Sequence, residues 1–206
     1  MATKGERTRD HILDEASRLI QRKGIAATSI GEILSAAGVH KGSLYFHFRD
    51  KGEIGREVIR KAADRFMAFV DGSLTGATSR IALENFFDAV LNYHRSAGFV
   101  GGCLFGNTAL ESCDSAPEMA ALVDGVFVAW TDRISRVIAG GQQAGDFRDD
   151  IAAHDLARQV VATLEGGIML SRLRKKAAPL ESCIETLKVF LRPAIAMGSG
   201  HKQQFQ

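Results

Sequence analysis

The sequence predicts an all-α protein of nine helices, three in an N-terminal helix-turn-helix head and six in a larger body. Three observations predict this class. Apolar residues recur at i, i+3, i+4 and i+7 through most of the chain, the spacing that gathers them on one helix face. Prolines number only three, and no run alternates β-branched and polar residues as a half-buried strand would. Hydroxyl or acidic residues precede several of the periodic runs, and glycines close several of them, which are helix start and stop signals.

From Glu6 to Lys23, Ile12, Ala16, Leu19 and Ile20 make one apolar stripe, and Gly24 closes the helix. Thr28 and Ser29 stand at the next helix entrance, where Ser29 and Glu32 form a capping box that satisfies two orphan N–H groups. Ile30, Ile33, Leu34 and Ala37 then share a face, Gly38 offers a left-handed end, and Val39 can plug the corner. A second short helix, Lys41 to Phe48, buries Leu44 and Phe48. Two short helices joined by so tight a turn are a helix-turn-helix pattern, whose second helix enters the DNA major groove.

Asp50 caps a long helix from Lys51 to Ser73, with Ile54, Val58, Ala62, Phe66 and Phe69 as its seam. Gly72 to Ser79 reads as a loop. Arg80 to Ala97 is amphipathic through Leu83, Phe86, Phe87, Val90 and Leu91, and Gly98 to Gly102 breaks it before a short segment, Cys103 to Cys113. Ser115 is the expected cap and Pro117 the first turn of a helix reaching Gln143. Gly145-Asp146-Phe147 is a turn. A helix from Ala152 to Lys175 carries Leu156, Val160, Leu164, Leu170 and Leu173 and is interrupted by Gly166 and Gly167. Pro179 begins the last helix, where Leu180, Ile184, Leu187 and Leu191 recur before Pro193. The expected division is 1–50 for DNA binding, 51–197 for the body, and 198–206 as a disordered tail.

Composition narrows the class. Formal net charge is only +2, yet residues 1–61 carry 12 Lys/Arg against 8 Asp/Glu, so the basic end coincides with the helix-turn-helix. MATKGERTRD has no secretory apolar core, and no apolar run approaches the roughly 20 residues that cross a bilayer. Three cysteines without CxxC spacing suggest neither a disulfide framework nor a zinc site, so a cytoplasmic protein without metal or cofactor is expected. His94 and His154 lack ligand spacing. No Walker loop, G-x-S-x-G elbow, HExxH helix or dinucleotide glycine loop is present, which argues against an enzyme.

At Thr28-Ser29, Ala37-Gly38-Val39, Lys41-Gly42-Ser43-Leu44-Tyr45, His47-Phe48 and Lys51 the chain resembles the tetracycline-repressor (TetR) family of bacterial transcriptional regulators. The resemblance is specific over about the first fifty-five residues. It implies that the head binds double-stranded DNA at a palindromic operator as a homodimer. Lys41, Gly42 and Ser43 would stand at the start of the recognition helix, where lysine can donate to guanine and serine to a base or phosphate. Tyr45 and His47 match family positions for backbone or thymine-methyl contact, with Phe46 beside them. Lys51, at a helix N-terminus, would hold a phosphate. Gly31 departs from the pattern, because many members carry a polar or basic residue there, and Leu34 replaces a common alanine.

The same resemblance implies a body that binds a small effector and pairs through its last two helices. The expected interface comprises Leu156, Val160, Leu164, Gly167, Ile184, Leu187 and Leu191. Residues 101–111 are similar to a GCL-x-GN-x-A-x-E motif of some members. The expected pocket lining is Phe66, Phe69, Phe86, Tyr93, Cys103, Phe105, Asn107, Phe127 and Trp130, suited to a small, largely apolar effector that releases a repressor. The alternative is redox or electrophile sensing at Cys103, which needs a lowered thiol pKa. A further reading is a binding module that has lost specific DNA recognition, supported only by Gly31.

Overall fold

The computed structural model describes residues 3–112 and 114–193, so Cys113 and the expected disordered tail fall outside the described residues. Within them the chain forms α1 (Lys4–Lys23), α2 (Ile30–Ala37), α3 (Lys41–His47), α4 (Lys51–Ser73), α5 (Ser79–Ser96), α6 (Leu104–Ser112), α7 (Pro117–Gln143), α8 (Ala153–Arg174) and α9 (Ala178–Phe190), with no strand. No helix among the described residues is long and apolar enough to cross a membrane.

The head is built as its caps dictate. Thr3 and Glu6 form a capping box that starts α1 earlier than its apolar stripe suggests. Ser29 and Glu32 make the second box, and Gly38 ends α2 with a left-handed φ of 61°. The α3 start is capped by a histidine: His40 Nδ1 accepts the Ser43 N–H at 3.1 Å. Ile12, Leu13, Ala16, Ile20, Ile33, Ala37, Leu44 and Phe48 close around one small core, and Ile54 and Val58 from α4 complete it. The head core therefore runs past residue 50, binding the first turns of α4 to α1–α3. Charges reinforce this, with Lys61 and Arg65 of α4 on Asp14 of α1 and Arg9 on Glu57.

The body packs α5, α7, α8 and α9 around Phe86, Phe87, Ile134, Ile138, Leu156, Val160, Leu164, Leu180, Ile184 and Leu187. A smaller cluster of Ile59, Phe105, Met119, Val123 and Val126 joins α4, α6 and α7 beneath the head.

Three local expectations are corrected. Ala116, not Ser115, occupies the α7 cap and offers no side-chain hydrogen bond; the Ser115 hydroxyl turns back to the Ser112 carbonyl. Gly166 and Gly167 do not interrupt α8, which is continuous. A helical glycine costs only about 1 kcal/mol relative to alanine, and tertiary packing overrides that. At Gly167 the packing is specific: a Cβ there would meet Leu180 Cδ1 at 3.0 Å and Cys183 at 3.1 Å, so glycine lets α9 lie close.

The third correction concerns the expected interface. Leu156, Val160, Leu164, Ile184, Leu187 and Leu191 are buried within the single chain, as is Gly167. They are the seam between α8, α9 and the rest of the body. The periodicity located an apolar stripe correctly, but one face of a helix cannot serve both its own core and a second chain.

Candidate DNA-binding surface and effector cavity

The surface of α3 is open. Lys41, Gly42, Tyr45 and Phe46 are exposed, and Ser43 and His47 partly so. Lys41 has no carboxylate partner among the described residues, and its Nζ stands 5.8 Å above the Tyr45 ring. Phe46 is 82% exposed, an unusual state for so apolar a ring, and its edge meets the His47 imidazole. These groups suit a groove: a cation for base edges and phosphates, a phenol, and an apolar ring for sugar or thymine methyl. Ser29 is exposed at the α2 entrance, though its Oγ also donates to Glu32. Gly31 is exposed and contributes no side chain.

Two expected contact residues are placed differently. Thr28 is 1% exposed and its hydroxyl donates to the Gly24 carbonyl at 2.7 Å, so it fastens the α1–α2 turn and cannot reach a ligand outside. Lys51 Nζ donates to the Ala26 carbonyl at 2.8 Å, while Asp50 and Glu53 place two carboxylates beside the same helix start. An ammonium has three donors, so at most two remain for a phosphate, in a potential weakened by those carboxylates.

A cavity of about 260 Å³ lies between head and body. Its walls are Ser17 and Gln21 from α1; Ala62, Arg65, Phe66 and Phe69 from α4; and Val90, Tyr93 and His94 from α5. Gly102 to Phe105, Trp130 of α7, and Glu165 and Ile168 of α8 complete them. Phe66 is the centre of an aromatic cluster, 5.1 Å from Trp130 edge-on, 5.4 Å from Phe105 and 6.4 Å from Phe69. Tyr93 is half exposed at the opening, where Gln21 Nε2 approaches its hydroxyl.

Of the expected lining residues, Phe66, Phe69, Tyr93, Cys103, Phe105 and Trp130 come together here, and three do not. Phe86 is wholly buried behind Phe69 and Trp130, and Phe127 stacks on Trp130 at 6.1 Å; neither is among the residues that line the cavity. Asn107 is a brace: its amide donates to the Gly101 carbonyl at 2.6 Å and accepts from Arg172 at 2.7 Å. That brace fixes the glycine turn before α6. Gly101 has a φ of 86°, and a Cβ there would press on Gln21 at 3.1 Å, so only glycine lets this turn lie against α1.

Polar groups in the cavity have unequal support. Glu165 Oε1 and Trp130 Nε1 are shut off from solvent without a protein partner. Burial raises the Glu165 pKa, and the adjacent Cys103 thiol lowers it in part. Burial likewise pushes the Cys103 thiol well above its usual range, and the Glu165 charge pushes it further. A reactive thiolate needs the opposite surroundings, so the cavity does not favour redox or electrophile sensing at Cys103. His94 is held neutral by burial, its pKa lowered to about 4. Sequence reasoning missed Glu165, although a lone carboxylate within the apolar run Leu164 to Leu170 was a usable signal. Ser17 and Gln21 carried no such signal, since they were ordinary polar positions on a head helix.

Fold and head together define a helix-turn-helix regulator of transcription. Residues 12–58 match the bacterial regulatory proteins of the tetR family, and residues 77–187 match the tetracyclin repressor-like C-terminal domain. The chain belongs to the TetR family of DNA-binding transcriptional regulators. It is 30% identical over 173 residues to the transcriptional regulator AcuR of Cereibacter sphaeroides, covering 81% of this chain and 77% of that one. Similarity to the repressor DhaR of a Mycobacterium species is 24% over 188 residues, covering 90% and 93%. A TetR regulator from Chloroflexus aurantiacus superposes with a TM-score of 0.83 at 31% identity, covering 91% of this chain and 95% of the other.

Proposed function

We propose that the chain is a repressor that holds a palindromic operator as a homodimer, in the cytoplasm and without catalytic activity, and lets go when a small effector fills the body cavity. The observation that carries this reading is the placement of the cavity. Its wall includes Ser17 and Gln21 of α1, a head helix, so an occupant would press directly on the element that braces the reading unit. A ligand changes DNA affinity only by as much as it favours one head arrangement over another, and a shared wall supplies that differential contact.

In this reading residues 1–50 do the reading, while 51–197 supply the partner surface and most of the effector cavity, to which Ser17 and Gln21 of α1 add a wall. Lys41, Gly42, Ser43, Tyr45, Phe46 and His47 meet the major groove, with Ser29 beside them and Lys51 in a reduced phosphate role. The pairing surface is the outer side of α8 and α9. Ala162, Gly166, Met169 and Leu173 recur there at helical spacing, and Thr186 and Val189 lie on α9. Nothing lies within 4 Å of a Cβ built on Gly166, so a second copy could approach its backbone closely.

The test is retention of DNA flanking the gene for this chain, measured across salt concentrations with wild type and Lys41→Ala. Specific retention that falls with salt, and a Lys41→Ala protein with altered site preference, are expected. Equal affinity for all DNA would overturn the repressor reading.

A further inference from the structure

Glu165 is the carboxylate in the cavity wall, and no cation among the described residues is paired with it. Glu165 Oε1 is closed off from solvent and unpartnered, while its other oxygen lies over Gly106, where a Cβ would run into it. The cationic and titratable groups of the neighbouring elements make other contacts. Arg65 in the cavity wall is paired with Asp14, Arg172 is turned onto the neutral Asn107 amide with no hydrogen bond or ion pair to Glu165 among the described residues, and burial keeps His94 neutral. The Cys103 thiol touches Glu165 but brings no positive charge.

A buried carboxylate without a counter-charge is costly to ionise, a cost that a cationic ligand would offset and an anionic one would worsen. The same cavity is lined by five aromatic rings from four elements, Phe66 touching Phe69, Phe105 and Trp130, and Phe69 touching Tyr93. Aromatic faces attract cations through the ring quadrupole, most strongly when water is excluded. The indole N–H of Trp130, also unpartnered, leaves room for one acceptor atom on the same ligand.

Resting on the effector-cavity reading, we propose that this cavity takes a small organic ammonium ion, its charge set against Glu165 and its alkyl groups among Phe66, Phe69, Tyr93, Phe105 and Trp130. The volume suits a compact headgroup with a short substituent, because it lies at the lower edge of small-molecule sites.

Charge can be separated from shape with matched probes. Choline and benzyltrimethylammonium are each compared with the uncharged carbon isostere, neohexyl alcohol or neopentylbenzene, and with the anion pivalate, by calorimetric titration of the full chain. At least one cation should bind about tenfold or more tightly than its isostere, with pivalate weakest. Glu165→Gln should remove most of that preference, so that each cation binds no tighter than its isostere; the wild-type comparison stands even if this variant folds poorly. Isosteres binding as well as both cations, or neither cation binding, would overturn the proposal. Anisotropy of operator DNA in the same titrations keeps the two readings distinct. Neutral probes that bind and release DNA overturn only the ammonium assignment, whereas cations that bind tightly without releasing DNA overturn the effector role of the cavity.

Discussion

The Glu111 carboxylate accepts the backbone N–H of Ile25 at 2.9 Å and that of Ala26 beside it, so the last turn of α6 grips the turn joining α1 to α2. Gly24 permits the contact, since a Cβ there would stand 2.7 Å from Glu111 Oε2. The other end of α6 begins at Leu104 and Phe105, which line the cavity. One short helix thus touches the effector site at its start and the head at its end, while Lys51 holds the Ala26 carbonyl from α4.

Removing this grip should weaken communication more than stability. Glu111→Ala leaves two N–H groups that water can reach, a cost of about 1–2 kcal/mol. The factor by which a bound probe lowers operator affinity should fall several-fold, measured by anisotropy with and without ligand. An unchanged factor would mean that the cavity reaches the head by another route.

The pairing surface separates from the core by substitution. Leu173 is 77% exposed and Leu187 is 2% exposed. Leu173→Glu should keep the melting behaviour within about 0.5 kcal/mol of wild type, as surface changes do, and yield monomer in sedimentation. Leu187→Glu buries a carboxylate in the chain's own core and should cost about 3 kcal/mol or more, seen as loss of folded protein. A Leu173→Glu protein that remains fully dimeric would place the interface elsewhere.

Acid should destabilise the chain through His94. Its folded pKa is lowered to about 4 by burial, whereas an unfolded histidine titrates near 6.5. Between those values the unfolded chain holds the extra proton, so stability is present above about pH 6.5 and is lost as pH falls towards 4. From pH 7 to pH 5 wild type should lose about 2 kcal/mol more than His94→Gln in denaturant unfolding. Parallel losses would show that His94 titrates normally.

In the head, Thr28 and Lys41 should behave differently. Thr28→Val removes a buried hydrogen bond and should cost about 1 kcal/mol of stability while leaving the order of preferred sites intact. Lys41→Ala should reorder those sites with stability unchanged, read by competition binding against base-substituted operators.

The fold was almost wholly legible because caps and periodicity are local. Ser29 with Glu32, Gly38 and Asp50 set helix ends that packing did not move. The cavity was legible in its aromatic part for the same reason, since Phe66 and Phe69 belong to one helix stripe. Partners that depend on tertiary approach were not legible. Nothing near Asn107 in the chain indicates that Arg172 and Gly101 will occupy its amide. Likewise the Leu156, Val160 and Leu164 stripe looks the same whether the covering helix comes from this chain or another. Thr28 carried the family's residue at the family's position, but it is buried and its hydroxyl donates to the Gly24 carbonyl.

In the proposed function, two copies of this chain read symmetric DNA through α3 and release it when the cavity fills. Footprinting of the DNA flanking its gene, with and without the ligand that titration identifies, tests this most directly. Two protected half-sites are expected, related by a dyad and spaced by about one helical turn or a multiple of it, and both should be lost together on adding ligand. A single asymmetric footprint, or a symmetric one that persists when the cavity is saturated, would contradict it.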